Sequence, residues 1–140
     1  MFRVYPPPMK LLLSLAATLL PLSLHAALKW ERTMQVVEWQ PGQRDAVVQF
    51  PYKNTSKVPQ KIVQLKGACT CCTSASASRK NVAPGETGFV RMRVDLSGKT
   101  LPTAKAVAVT TDDGEVVSLI LQVRTPHGEA VEIPRWNFKR

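Results

Sequence analysis

Three cysteines fall within four consecutive positions, Cys69, Cys71 and Cys72, and the chain has no others. A thiolate is a nucleophile, a redox group and a soft metal ligand, so this segment is where chemistry could converge. Thiols set so close together cannot form the long-range bridges that staple small secreted domains. Three chemistries remain open to them. Cys69 and Cys71 could close a small, strained, reducible ring that leaves Cys72 a single thiol. All three could ligate Cu(I), or one could bond a partner protein. The Cys69–Cys71 ring is the easier closure, because a bridge between adjacent Cys71 and Cys72 would distort the peptide joining them. The plain alternative is that one or two of them pack as small apolar residues at a strand end.

Other reactive groups are sparse. His127 is the sole histidine after the leader and sits in the tail, so a Cys–His dyad would need the fold to bring it to Cys69. Catalytic zinc needs three ligands in open geometry, which crowded thiols and one distant imidazole supply poorly. Asp95 lies at a strand end, Asp112 and Asp113 occupy a turn, and Glu86 follows one. The expectation is a non-enzyme without a cofactor, Cu(I) entering only with the thiol alternative. Pro84, Gly85 and Glu86 read as a structural turn, since proline presets its second position and glycine takes the positive φ of a type II turn at its third. Asn54, Thr55 and Ser56 match a glycosylation acceptor but read better as an Asx turn ending a strand.

These groups must be held by a small domain. The chain has 140 residues, 44% hydrophobic, with 19 Lys+Arg against 10 Asp+Glu, which suits one modest core. Arg3 and Lys10 precede an apolar run from Leu11 to Leu24, then His25, Ala26 and Ala27, the three regions of a secretory signal. At about 14 residues, broken by Pro21, the run is short for a bilayer span of roughly 20. Residues 1–26 are therefore expected to be a helical signal peptide. Residues 27–124 should form the domain and 125–140 a basic tail. Met9 with Lys10 would itself open an ordinary signal. The expected location is the periplasm or cell envelope of a bacterium, with membrane contact only through an uncleaved signal. The tail's aromatic and basic pairs could touch a membrane surface, or the tail could fray or lay Trp136 back on the domain.

The dominant period after Leu24 is two. Ala46, Val48, Phe50 and Tyr52 alternate against Gln49, Pro51 and Lys53, with Val47 the exception and Pro51 marking an edge or bulge. Strands are also expected over 33–39, 59–66, 88–95, 104–111 and 116–123, the last two joined by a hairpin at Asp112, Asp113 and Gly114. Val48, Phe50, Val90, Met92, Val107, Val109, Leu119 and Leu121 should face inward, and Gln122 should face water. Basic residues such as Lys53, Arg79, Arg91, Arg93 and Lys105 are spread as polar strand faces are. That argues against a nucleic-acid reader and for an envelope protein or anionic envelope polymer as partner.

Short strands joined by Pro/Gly-rich turns give an all-β fold, an immunoglobulin-like antiparallel β-sandwich of about seven strands behind the signal helix. The order of phrases, Trp30, then Phe50 to Thr55, then Cys69-Thr70-Cys71, then Pro84-Gly85-Glu86, then Val109 to Asp113, resembles an exported bacterial family called domain of unknown function 1573. The resemblance covers about Trp30 to Val123 and implies an immunoglobulin-like sandwich with no assigned activity. The chain departs from the family's Ser-Cys-Gly-Cys-Thr phrase at Ala68, Thr70 and Cys72, so a pairing of Cys69 with Cys71 does not carry over directly.

Overall fold

A computed structural model describes residues 27–68 and 71–126. The expected signal peptide, Cys69 and the tail beyond Pro126 lie outside the described residues. Among the described residues nine strands are present: β1 (Leu28–Trp30), β2 (Met34–Glu38), β3 (Asp45–Asn54), β4 (Gln60–Gly67), β5 (Thr73–Ala77), β6 (Asn81–Val82), β7 (Thr87–Asp95), β8 (Thr103–Thr111) and β9 (Val116–Arg124). They form two sheets, ordered β1-β3-β7-β5 and β2-β9-β8-β4-β6, which enclose one core as a β-sandwich. Among the described residues no helix is long and apolar enough to cross a membrane.

Two expectations are corrected. Nine strands among the described residues stand against about seven expected, because β1 and β6 are too short to show a period and the Thr-Ser-Ala-Ser-Ala of β5 has no bulky side chain to mark its inner face. The second sheet is mixed rather than antiparallel, since β2 runs parallel to β9 from Met34 opposite Ile120 to Glu38 opposite Arg124. After β1 the chain crosses from one sheet to the edge of the other, and this crossover leaves β2 free to run alongside the last strand. The Gln35 side chain then donates to the Gln49 carbonyl on β3, tying the two sheets together at this edge.

All eight residues expected in the core are buried. Pro51 sits on a partly open edge. Its carbonyl accepts the Glu31 N–H, so its nitrogen, which has no hydrogen to donate, faces the same side, where β1 pairs only residues 52–54 of β3. Gln122 departs from expectation. It alternates outward with respect to the core yet is only 4% exposed.

Tyr52 explains the glycine opposite it. Its ring lies over Gly88, and its hydroxyl donates to the Arg79 carbonyl at 2.6 Å. Burial pushes the phenol above its ordinary range, which keeps it a donor. A Cβ on Gly88 would stand 2.5 Å from the Tyr52 oxygen. Gly88→Ala should therefore displace the ring, break that bond and cost roughly 1–3 kcal/mol. Chemical denaturation measures it, and a change within about 0.5 kcal/mol would show that the ring moves aside freely.

The β8–β9 turn is closed by Gly114 N–H to the Thr111 carbonyl at 3.0 Å, with Gly114 at φ +86°. The Asp113 carboxylate accepts from the Thr111 hydroxyl and from the Glu115 N–H. These bonds, the hydroxyl's first, hold Asp113 below the ordinary carboxylate range. Its contribution is therefore fully present above the unfolded pKa and is lost as pH falls through the lower folded one. Glu115 acts in the opposite sense, because burial first and the Asp113 charge second raise its pKa. Between about pH 6 and pH 3 the Tm should fall less steeply in Asp113→Asn than in the unaltered chain. Parallel slopes in a thermal melt series would remove Asp113 from the acid response.

Candidate functional site

Cys71 and Cys72 form the turn that enters β5, and β7 fixes their position. The Asp95 N–H donates to the Cys72 carbonyl at 2.8 Å, and Thr73 pairs with Val94. Cys71 is exposed, whereas Cys72 is buried with its Sγ 3.8 Å from the Thr73 hydroxyl. Both line a polar cleft of about 230 Å³ with Asp45, Ser74, Arg93 and Asp95. Arg93 donates to Asp45 at 2.6 Å, and that bond holds its guanidinium more firmly charged than usual. Asp95 is held below the ordinary carboxylate range, chiefly by the Ser97 N–H. The cleft thus sets a persistent cation and two carboxylates beside the thiol turn. Among the described residues no cluster of three His, Cys, Asp or Glu could hold a metal ion.

At the other end of the same sheet, Ala83 to Glu86 form a turn with Gly85 at φ +80°. It is closed by the Glu86 N–H to the Ala83 carbonyl at 3.0 Å, and the Glu86 carboxylate accepts the Ala83 N–H at 3.1 Å. The turn is tethered to Asn54, whose N–H donates to the Glu86 carbonyl and whose carbonyl accepts the Gly85 N–H. The Asn54 side chain is 0% exposed. Its amide nitrogen donates to the carbonyls of Val58 and Val82, both at 2.9 Å, and its Oδ1 accepts from the Ser56 N–H and hydroxyl. The Asx turn is therefore one part of a buried hub that joins β3, β6 and the glycine turn. Its signal in the sequence was phase, since Asn54 continues the inward series of Ala46, Val48, Phe50 and Tyr52.

The outer face of the four-stranded sheet carries four cations, with Asp45 and Asp95 at one end of it. Lys29 lies directly opposite Lys53 across β1 and β3, and Arg91 and Arg93 follow along β7. Arg91 sits 5.9 Å from the Phe89 ring centre, and Ser74 and Ser76 pair beside the two arginines from β5. Like charges directly opposite on a sheet repel. Among the described residues neither Lys29 nor Lys53 has an ion-pair partner. The two lysines rim a groove of about 260 Å³ walled by Trp30, Pro51 and Tyr52.

This arrangement spans the region in which the sequence matches a known family, residues 28–124, from the first residue of β1 to the last of β9. The chain belongs to the family described as protein of unknown function DUF1573. No curated protein matches the sequence. Among solved structures, this DUF1573 domain is similar to a protein of unknown function from Porphyromonas gingivalis W83. That likeness has a TM-score of 0.60 and 15% identity, and covers 73% of this chain and 50% of that one. It is also similar to the VesB protease of Vibrio cholerae, with a TM-score of 0.55 and 15% identity over 71% of this chain and 32% of that one. The E. coli chaperone DraB gives 0.51 and 13%, covering 74% and 57%. The chain spans half of the Porphyromonas protein and less of the protease, and at these identities the likeness shows the fold alone.

Proposed function

We propose that this DUF1573 domain is an immunoglobulin-like, non-catalytic interaction module exported to the bacterial envelope, whose four-stranded sheet docks an anionic envelope polymer. The observation that carries this is the Lys29–Lys53 pair, neither of which has an ion-pair partner among the described residues, with Arg91 on the same face. A polyanion laid along that face relieves the repulsion, and the neighbouring hydroxyls supply hydrogen bonds. The test is titration with dextran sulfate, with neutral dextran as control. Binding should weaken steeply with salt, and Lys29→Gln with Lys53→Gln and Arg91→Gln should lower affinity by about tenfold or more. Equal affinity in the triple variant, or no binding at low salt, would reject the face as the docking surface.

A thiol-redox or Cu(I)-handling role is the second reading, supported by the placement of Cys71 and Cys72 on a cleft that carries the Arg93 cation. Counting reactive thiols in protein purified from the envelope, with and without Cu(I), separates the two. Loss of thiol reactivity on adding Cu(I) supports the second reading, and an unchanged count removes the metal role.

A further inference from the structure

Strand register decides what the outer face of the four-stranded sheet presents between its cations. Side chains at alternate positions share a face, so Pro51 and Lys53 on β3 point outward together with Thr87, Phe89 and Arg91 on β7. Pro51 stands directly opposite Phe89. Phe89 spends both its backbone groups on Ser78, its N–H reaching the Ser78 hydroxyl and its carbonyl accepting the Ser78 N–H, each at 2.9 Å, while the Pro51 carbonyl accepts the Glu31 N–H. The two residues therefore make the non-hydrogen-bonded kind of antiparallel pair, in which Cα atoms lie about 4.5 Å apart and side chains approach most closely. Pyrrolidine and phenyl rings form one half-buried apolar step on an otherwise polar stretch. Lys29 and Lys53 flank the step on one side and Arg91 on the other. All three are exposed, and none has an ion-pair partner among the described residues.

We propose that this step and the cations around it form a site for an acidic polysaccharide, a chain of sugar rings bearing carboxylates, with the apolar face of a ring laid on Pro51 and Phe89. Cations alone select any anion, whereas an apolar step between them selects one whose charges are separated by something flat and apolar. A polyphosphate carries charge at every unit and would set one on the step. Thr87 lies opposite Lys53, and from Thr87 to Arg91 is four residues, about 13 Å, so the two cationic stations hold carboxylates of different sugar rings. The Arg91 guanidinium can take its carboxylate through two hydrogen bonds, and the exposed Ser76 hydroxyl stands beside it. The site is short. Beyond Arg91, Arg93 is held by Asp45 at 2.6 Å and Asp95 follows, so that end turns a polyanion away. At the other end the Glu31 carboxylate is engaged by Arg32 at 3.2 Å.

The sugar assignment rests on the docking reading above, and dependence on the ring of Phe89 separates the two. Oligogalacturonate serves as the probe with rings and inorganic polyphosphate as the probe without, each titrated into the full chain at the same salt. Phe89→Ala should weaken oligogalacturonate binding about fivefold or more and leave polyphosphate binding unchanged. Lys29→Gln with Lys53→Gln should weaken both probes alike. If Phe89→Ala does not fold, Phe89→Leu, which keeps the bulk and removes the flat ring, should show the same selective loss. Affinity should also stop rising once the oligogalacturonate is long enough to reach from Lys53 to Arg91. Oligogalacturonate binding that ignores Phe89, a loss shared equally by polyphosphate, or polyphosphate bound while oligogalacturonate is refused would overturn the sugar assignment and leave the docking face standing. Refusal of both probes and of dextran sulfate would overturn the two together.

Discussion

Asn54→Asp is expected to cost the domain roughly 3–5 kcal/mol at neutral pH, although it changes a single NH2 for an oxygen. The amide nitrogen it replaces faces two carbonyl oxygens, of Val58 and Val82, at 2.9 Å each, with no solvent to intervene. A carboxylate there sets lone pairs against lone pairs and buries an uncompensated charge, so its folded pKa must rise. For an acid with a raised folded pKa, the penalty is complete well above that pKa and shrinks as pH falls toward the unfolded value. One proton restores one of the two donated bonds. The gap between variant and unaltered chain should therefore narrow from about pH 7 to about pH 4, even as the Asp113 contribution begins to fail in both. Denaturant unfolding at the two pH values measures it. A variant within about 1 kcal/mol of the unaltered chain at neutral pH would mean that water reaches the hub.

The contrast between Asn54 and Gln122 shows which structural information is local. Asn54 lies in phase with the buried residues of β3, so its inward direction follows from period two alone. What period two cannot supply is its partners, because Val82 stands 28 positions away and meets Asn54 only once β6 has paired with β4. Gln122 lies out of phase with the core of β9, so alternation sends it outward, and its low exposure there does not follow from the period of its strand.

The same division separates the strands. β3, β7 and β9 each bury apolar side chains at alternate positions, and β8 sets its bulky Val107 and Val109 at the same spacing, so their hydrophobic pattern marks them as strands before any partner is known. β5 contributes alanines, serines and a threonine, and is a strand because β7 offers it an edge. The parallel seat of β2 beside β9 joins residues 86 positions apart, from Met34 to Ile120, and no local pattern distinguishes parallel from antiparallel. At the thiol turn, the sequence marks the cysteines as unusual. Their unequal exposure, Cys71 out and Cys72 in, is decided by the pairing of Thr73 with Val94.

Phe50→Ala is expected to cost roughly 3–5 kcal/mol, and Val47→Ala, three positions away on the same strand, no more than about 0.5 kcal/mol. Phe50 is among the largest fully buried side chains and faces the centre of the sandwich opposite Val90, so truncation leaves a cavity bounded by both sheets. That cavity cannot collapse easily, because β3 is held along its length to β7 and its edge is fastened to β2 through Gln35. Val47 is 52% exposed and lies across from Arg93 on the charged outer face, where losing two methyl groups uncovers little. The pair tests register rather than hydrophobicity, since both residues are apolar and a slip of β3 by one residue would exchange their environments. Denaturant midpoints at constant m-value provide the measurement. Equal losses at the two positions would mean that β3 is not held in the register that places Asn54, Tyr52 and the Lys29–Lys53 pair, and both the hub and the docking face would fall with it.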